Sequence, residues 1–361
     1  MRAILAGGGT GGHVIPALAI ARELKERYAA DLLFIGTARG IETRLVPNAG
    51  FELRLIEVGA LKNVSLTTRL TTSVALPRAL LASHKILKQF HPDVVIGVGG
   101  YASGPAMLMA SLGGMPTLAF EPNAVPGFAN RVVAPMVSLA TIHFASTARY
   151  FRRSVVTGIP VRREFARVPP LAGAEEKATP TLLVFGGSQG STALNRILTE
   201  TAAELCRRIP RLRIIHQTGQ RDYNDAQAAY QRAGIPAEVY PFIEDMPAAF
   251  ADADLLVCRS GASTVAEVMA AGRPAIFVPF PYAADDHQRR NAEELSGAGA
   301  ARLIAEKELS PARFVQEVVS LLGDRAGLGA MGLKARALAH PHAANEIARL
   351  AAGLAGIRAQ E

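Results

Sequence analysis

Short apolar runs alternate along the chain with longer stretches in which apolar and polar residues share a helical period. Strands buried on two faces read as near-continuous apolar runs, so this alternation predicts a parallel sheet covered by helices on both sides. The first repeat of the pattern is compact. Ala3–Ala6 predicts a buried strand, Gly7–Gly12 a tight loop and Ile15–Tyr28 a helix. Pro16 falls in the first turn of that helix, where its missing N–H leaves no hydrogen bond unmade. Asp31–Ile35 predicts the next strand, ending at Gly36, and Val94–Val98 and Thr117–Ala119 extend the sheet. His91-Pro92-Asp93 predicts the turn into the first of these two. The alternation pauses near Gly158-Ile159-Pro160, and the loose stretch Val168–Pro180 follows.

The pattern then starts again. Thr181–Phe185 predicts a strand, Gly186–Gly190 a glycine loop and Ser191–Leu205 a helix, with further strands at Arg213–His216, Leu255–Cys258 and Ala275–Val278. Both halves of the 361-residue chain therefore open as strand, glycine loop, helix. The prediction is an α/β protein of two doubly wound, Rossmann-like domains, residues 1–160 and 161–335. A C-terminal segment, 336–361, carries an Ala-rich helix, Ala343–Ala359, expected to pack back toward the first domain. In such folds ligands bind at the carboxyl ends of the strands, so the glycine loops are expected to face one cleft.

Composition narrows the function. With 49% hydrophobic and 19% charged residues, a disordered chain is excluded. The two cysteines, Cys206 and Cys258, are far apart, which excludes a disulfide framework or a cysteine metal cluster and suits buried thiols in a reducing compartment. No apolar run reaches the roughly 18 residues of a membrane span. Met1–Ala6 runs straight into glycines, too short for a signal-peptide core. The expectation is a cytosolic chain that touches a membrane. A formal net charge of +8 favours an anionic partner, either a phosphorylated substrate or an acidic membrane face. Nucleic acid is disfavoured, because aromatics are 6%, Trp is absent and no basic recognition motif is present.

The glycine loops carry the candidate chemistry. Gly7-x-Gly9-x-x-Gly12 matches the dinucleotide fingerprint, in which small residues let backbone N–H groups and a helix N-terminus approach an anion. The fingerprint also wants an acid at the end of the second strand to hold a ribose; here that strand ends in Gly36-Thr37, which argues against NAD. Thr10 and His13 lie within and just after the loop. A helix start discourages protonation of an imidazole, so His13 is either a general base or a group that only hydrogen-bonds the loop. Gly97–Pro105 and Gly186–Gly190 are further loops after strands, and Ser188 adds a hydroxyl to the second. At the strand-to-helix junction Arg259–Glu267, Ser260 or Ser263 is placed to cap the helix, and Glu267 to grip a ribose diol or complement the helix dipole. Asp252-Ala253-Asp254 has the look of a metal-binding D-x-D, but it stands at a helix-to-strand turn and reads as turn chemistry. Asp285-Asp286-His287-Gln288 has no recognised ligand spacing and suits hydrogen bonding to a sugar.

Six segments recur in order over nearly the whole chain: Gly8-Gly9-Thr10-Gly11-Gly12-His13, Gly99-Gly100-Tyr101-x-Ser103-Gly104-Pro105, Gly158-x-Pro160-Val161-Arg162, Gly186-Gly187-Ser188-Gln189-Gly190, Arg259-Ser260-Gly261-Ala262 through Glu267, and His287-Gln288-x-x-Asn291-Ala292. Together they resemble the MurG family of bacterial N-acetylglucosaminyltransferases, in glycosyltransferase family 28. The resemblance implies a GT-B fold with a deep cleft and inverting transfer from UDP-N-acetylglucosamine to undecaprenyl-pyrophosphoryl-linked muramyl-pentapeptide, forming a β-1,4 linkage. It implies no cofactor and no metal, a peripheral place on the cytoplasmic face of the plasma membrane, and cell-wall or division-complex proteins as candidate partners. The alternative is a related GT-B enzyme with another lipid acceptor, against which the two N-terminal glycine loops speak.

Carried over by motif, the donor-site positions are Thr10, Gly11, Gly12, Asn123, Arg162, Ser188, Ile243, Ala262, Ser263, Thr264, Val265, Ala266, Glu267 and Gln288. Glu267 is then expected on the ribose, Ile243 backbone on the uracil, Ser188 and its loop on the diphosphate, and Asn123 and Gln288 on the sugar. Gly99, Gly100, Tyr101 and Ser103 form the expected acceptor loop, and His13 is the expected base with Glu121 as competitor or orienting group. Two positions depart from the family pattern: Pro122 stands where Gln is common, and Ile159 where Asn is common. Both spare Asn123 and Arg162. A lipid-linked acceptor requires a membrane contact, for which Leu61–Phe90 is the candidate: Leu66, Leu70, Val74, Leu76, Leu80 and Leu81 supply apolar groups, and Lys62, Arg69, Arg78, Lys85 and Lys88 supply charge. An ordinary amphipathic helix covering the sheet is the other reading of that segment.

Overall fold

A computed structural model describes residues 1–58, 66–171 and 179–357, with the backbone alone for 66–75. The chain forms two compact units, Met1–Pro160 together with His342–Glu361, and Val161–Pro341. The segment 336–341 stays with the second unit, so the return to the first begins at His342.

The first unit holds a seven-stranded sheet of β1 (Arg2–Gly7), β2 (Asp31–Gly36), β3 (Glu52–Leu55), β4 (Val94–Gly99), β5 (Thr117–Glu121), β6 (Leu139–Ile142) and β7 (Ser154–Val156). Its order is β3-β2-β1-β4-β5-β6-β7, and every pairing is parallel. The second unit repeats the plan with β8 (Thr181–Phe185), β9 (Arg213–Gln217), β10 (Ala237–Tyr240), β11 (Leu255–Cys258), β12 (Ala275–Phe277) and β13 (Arg302–Leu303), ordered β10-β9-β8-β11-β12-β13 and again parallel throughout. The long apolar runs are the inner strands: β1, β4, β5, β8 and β11 are buried along almost their whole length. The edge strands β3, β7 and β10 are only partly buried, and their mixed sequences carry no apolar run to announce them.

Strand order reverses direction between β1 and β4 in the first sheet and between β8 and β11 in the second. At such a switch point the two following loops run to opposite faces and leave a crevice at the carboxyl ends of the strands. All four expected glycine-containing loops follow one of these four strands. The first helix, Gly11–Tyr28, begins within the glycine loop, with Thr10 as its N-cap residue. Gly11, Gly12 and His13 are thus first-turn residues; the His13 N–H donates to Thr10 O at 3.1 Å, and those of Gly11 and Gly12 have no intrahelical partner. The C-terminal helix Ala343–Leu354 packs against Gly11–Tyr28 within the same unit and stops short of the expected Ala359.

Candidate active site

In the first unit, the loops after β1 and β4 interlock. Gly8 N–H donates to Gly99 O at 3.2 Å. Gly100 has φ +81°, a left-handed conformation, and any Cβ there would run into Gly8 O. Gly99 is likewise in contact with an imidazole: a Cβ on it would lie 2.9 Å from His13 Nε2. Thr10 Oγ1 lies 3.3 Å from His13 Nδ1. Thr10 and Gly12 are exposed and His13 is half-buried at the mouth of the loop. Tyr101 stands out beside it with 52% of its surface exposed. Ser103 is different: it is buried in the first turn of the helix Ser103–Leu112 and packs against Gly97, so it supports the loop after β4 from beneath.

Two buried acids hold backbone of this unit from inside, one behind the first glycine loop and one in the turn after β5. Glu42, buried at the start of the helix Glu42–Asn48, accepts hydrogen bonds from Gly9 N–H at 2.7 Å, Thr37 N–H at 2.9 Å and the Thr37 hydroxyl at 3.0 Å. The acid missing from the end of β2 therefore exists six residues on, and it faces into the protein rather than toward a ribose. Glu121, at the end of β5, accepts from Asn123 N–H at 2.9 Å, Asn123 Nδ2 at 3.2 Å, Gly127 N–H at 2.9 Å and Asn130 Nδ2 at 2.9 Å. Burial pushes its pKa up, against the pull of these four donors. A carboxylate enclosed on all sides by donors shapes the 121–130 turn and sets the Asn123 side chain; it has no open lone pair to take a proton from a substrate hydroxyl.

In the second unit the loop after β8 turns on Gly190, whose N–H donates to Gly187 O at 3.0 Å. Gly190 has φ +73° and lies against the Thr218 carbonyl, with no space for a Cβ. Gln217, buried at the end of β9, spans the site with both ends of its amide. Its Nε2 donates to Gly187 O at 3.0 Å, and its Oε1 accepts from Ile243 N–H at 2.8 Å. The Ile243 N–H is thereby taken, and the backbone group it can offer a nucleobase is its carbonyl. Beneath lies a buried neutral network. His216 Nε2–H donates to Asn195 Oδ1 at 3.0 Å, and Tyr230 O–H donates to His216 Nδ1 at 3.0 Å. Asn195 Nδ2 in turn donates to Thr218 O and to Asp222, each at 2.9 Å. Burial lowers the His216 pKa to about 3, so the imidazole is neutral.

The helix Ala262–Ala271 after β11 has Gly261 as its N-cap and no side-chain cap. The expectation that Ser260 or Ser263 caps it fails for a specific reason: the Ser260 hydroxyl donates instead to Gln288 O at 2.7 Å, tying that residue to the helix start. Gln288 Oε1 accepts from Phe280 N–H at 3.0 Å, which leaves its NH2 as the group to offer a ligand. Val265 and Ala266 are buried on the core side, while Ala262, Ser263, Thr264 and Glu267 are half-buried. Burial raises the Glu267 pKa to about 7, and the positive charge of Arg162 opposes that rise. Arg162 stacks over the Phe165 ring at 5.0 Å. The site thus places together Arg162, Glu267, the helix start at Ala262 and Gln288, and links the Ser188 loop to Ile243 through Gln217. Asp252-Ala253-Asp254 stands at the turn from the helix Met246–Asp252 into β11, and both carboxylates serve arginines: Asp252 pairs with Arg213 at 3.0 Å, and buried Asp254 pairs with Arg325 at 2.6 Å and accepts from Thr181 N–H at 2.8 Å.

Two domain profiles match the chain: the Glycosyltransferase family 28 N-terminal domain over residues 3–141 and the Glycosyltransferase family 28 C-terminal domain over residues 181–347. The chain belongs to glycosyltransferase family 28. Its family 28 architecture is the GT-B fold, two parallel-sheet α/β domains, as the six ordered segments imply. The chain is similar to a UDP-N-acetylglucosamine--N-acetylmuramyl-(pentapeptide) pyrophosphoryl-undecaprenol N-acetylglucosamine transferase of Solibacter usitatus, 46% identical over 96% of this chain and 94% of that one. The protein of the same name from Syntrophotalea carbinolica is 42% identical over 99% of each chain. Among solved structures, MurG of Acinetobacter baumannii superposes with a TM-score of 0.82 at 32% identity, covering 98% of this chain and 99% of that one. A UDP-GlcNAc 2-epimerase from Neisseria meningitidis has a TM-score of 0.66 at 12% identity, over 96% of this chain and 98% of that one, which is a likeness of fold alone.

Motif reading missed Glu42, Gln217, Asn195 and Asn130. A carboxylate or amide that works on backbone from inside leaves no motif of its own. The one available signal for Glu42 was indirect: Gly8, Gly36 and Gly40 are three glycines around one spot, and a Cβ on any of them would meet the Glu42 side chain.

Proposed function

We propose that this chain transfers N-acetylglucosamine from UDP-N-acetylglucosamine to undecaprenyl-pyrophosphoryl-linked N-acetylmuramyl-pentapeptide, with inversion at the anomeric carbon. The observation that carries the donor half is the placing of Glu267, within reach of the Arg162 charge, on the helix whose uncapped N-terminus is at Ala262, at the switch point of the second sheet. A nucleoside diphosphate needs N–H donors and a cation for its phosphates and an acceptor for its ribose diol, and these residues supply each. In this reading the Ser188 loop and the Ala262 helix start hold the diphosphate, Arg162 stabilises the charge that develops on the leaving group, Glu267 accepts from the ribose, the Ile243 carbonyl meets the uracil, and the Gln288 NH2 reads the sugar. In the first unit the Asn123 side chain, set by Glu121, is offered to substrate. His13 removes the proton from the attacking hydroxyl, with Thr10 3.3 Å from its Nδ1. Glu121 acts through Asn123 rather than as the base. Gly99, Gly100 and Tyr101 face the acceptor. The deciding experiment is transfer from labelled UDP-N-acetylglucosamine to a short-chain lipid-linked muramyl-pentapeptide, with UDP-glucose and UDP-N-acetylgalactosamine as donor controls. Absence of a labelled disaccharide product would sink the proposal.

A peripheral place on the cytoplasmic face of the plasma membrane goes with this reading. No helix among the described residues is long and apolar enough to cross a membrane. Of the surface expected on Leu61–Phe90, Leu61 and Lys62 lie outside the described residues, as do the side chains of Leu66, Arg69, Leu70 and Val74. The remainder supports a contact: Leu81 is 69% exposed, with Arg78, Lys85 and Lys88 exposed on the same helix, Leu66–Phe90. That helix packs against Ser103–Leu112, which packs against Phe128–Val133. These neighbours add Leu112 at 66% exposure and the exposed Phe128 and Val132. Vesicles with and without anionic lipid, floated with wild type and with Arg78, Lys85 and Lys88 reversed to Glu, test the contact; equal flotation of both proteins would refute it.

A further inference from the structure

The Gly8–Gly9 peptide plane is held on both sides. Its N–H, that of Gly9, donates to Glu42 Oε2 at 2.7 Å, a short charge-assisted bond. Its carbonyl, that of Gly8, abuts Gly100, where no side chain fits. Gly8 N–H is tied in turn to Gly99 O at 3.2 Å. Glu42 is 1% exposed, and among the described residues it makes no ion pair. Its charge is balanced by three N–H and O–H donors, and its side chain fills the space that Gly8, Gly36 and Gly40 leave open. A buried carboxylate without a cation is expensive unless its donors are well made. Retaining one directly behind a glycine loop is a strong constraint on that loop's shape.

We infer that Glu42 is a positioning residue for the transfer reaction: it clamps the Gly8–Gly9 peptide so that Thr10 and His13 are presented at a fixed place on the acceptor side. The inference rests on the function proposed above. It also gives the loop a different task from a phosphate cradle. A cradle turns its N–H groups outward to an anion; here the Gly9 N–H is turned inward and spent on Glu42. What the loop offers outward is the start of the helix Gly11–Tyr28, with His13 in its first turn. Glu42 touches no reacting atom. Its effect reaches the chemistry through the backbone that carries His13, where a misplacement of about 1 Å costs roughly 100-fold in rate.

Glu42→Gln keeps the shape but replaces one acceptor oxygen with an NH2, so a donor meets Gly9 N–H or Thr37 N–H. Thr37→Val removes only the 3.0 Å hydroxyl bond and keeps the fold safe should the first variant fold poorly. Val46→Ala, a core truncation in the helix Glu42–Asn48, controls for lost stability. The measurements are kcat, KM for each substrate, UDP affinity by calorimetry, and amide hydrogen exchange of Gly9 against the Gly187–Gly190 loop. The expected result for Glu42→Gln is a fall in kcat of roughly 100-fold, UDP affinity within about two-fold of wild type, and faster exchange at Gly9 with the second loop unchanged. Thr37→Val should move kcat and Gly9 exchange in the same direction by less. Val46→Ala should lower the melting temperature and leave kcat in place. A kcat for Glu42→Gln no lower than that of Val46→Ala at matched stability, or unchanged exchange at Gly9, overturns the clamp. A wild type that transfers no sugar overturns the proposed reaction instead, and the exchange arm still decides the clamp by itself.

Discussion

The carboxylate of Glu267 offers a quantitative test of the donor site. Burial raises its pKa from 4.5 to about 7, although the Arg162 charge draws it down. The folded state therefore holds a proton between pH 4.5 and 7 that the unfolded chain has released, and stability must fall as pH rises through that window. At about 1.4 kcal/mol per pH unit, the full difference is on the order of 3 kcal/mol. Glu267 is half-buried, and water reaching it reduces this to about 1–2 kcal/mol. Glu267→Gln keeps the shape and removes the charge. Without ligand, the variant should match wild type near pH 4.5 and be the more stable protein at pH 8, by about 3–6 °C in melting temperature. UDP should bind it more weakly by roughly ten-fold or more, because a charged acceptor for the ribose has been lost. The assays are thermal unfolding of both proteins from pH 4.5 to 8 and calorimetric UDP titration. Parallel stability curves for the two proteins, or a variant less stable at pH 8, would refute the claim that the site carries a costly buried charge for the sake of its ligand.

Three further outcomes are expected. His13→Ala should lower kcat roughly 100- to 1,000-fold with UDP affinity nearly unchanged; a kcat near wild type removes His13 from the chemistry. Gly100→Ala puts a Cβ into Gly8 O at a residue with φ +81°, so it should lower both kcat and melting temperature without weakening UDP binding, and unaltered steady-state kinetics would show that the loops after β1 and β4 are not coupled in the reaction. His216, neutral with a pKa lowered to about 3, contributes stability above pH 6.5 that is lost as pH falls toward 3. Acid unfolding of wild type should therefore be steeper below pH 6.5 than that of His216→Asn, and equal slopes would count against the buried neutral imidazole.

Most inner strands were legible because burial on both faces forces an apolar run: Thr181–Phe185 and Leu255–Cys258 were read from sequence with the bounds the structure gives them, whereas the short buried strand Leu139–Ile142 was not. The edge strands β3 and β10, Glu52–Leu55 and Ala237–Tyr240, were not, since one open edge and partial burial remove the need for such a run. The glycine loops were legible because close approach of backbone tolerates nothing larger, as Gly100 and Gly190 illustrate. The helix start was misplaced by four residues, at Ile15 instead of Gly11, because first-turn glycines carry no helical periodicity to read. The inward-facing Glu42 and Gln217 were invisible for a different reason. Each works on backbone groups distant in sequence, across 33 residues from Glu42 to Gly9 and 30 from Gln217 to Gly187, and backbone partners leave no side-chain signature.

Both switch points carry glycine loops but differ in electrostatics, and in the proposed reaction that difference separates their roles. Behind the first unit's loops stand two buried carboxylates, Glu42 on Gly9 and Glu121 on the Asn123 turn. Behind the second unit's loop stand neutral groups, the amide of Gln217 and the Asn195–His216–Tyr230 network, and the one acid that joins them, Asp222, is paired with Arg221 at 2.9 Å. A nucleoside diphosphate brings about two negative charges and favours the neutral scaffold with Arg162 at hand. In that reaction a hydroxyl losing its proton to the His13 imidazole creates positive charge there, and the Glu42 carboxylate behind the same loop favours such a change. The dinucleotide fingerprint at Gly7–Gly12 is therefore a match of backbone shape only. The same turn that elsewhere offers N–H groups to a pyrophosphate is closed here from behind by Glu42, and its outward face is left to Thr10 and His13.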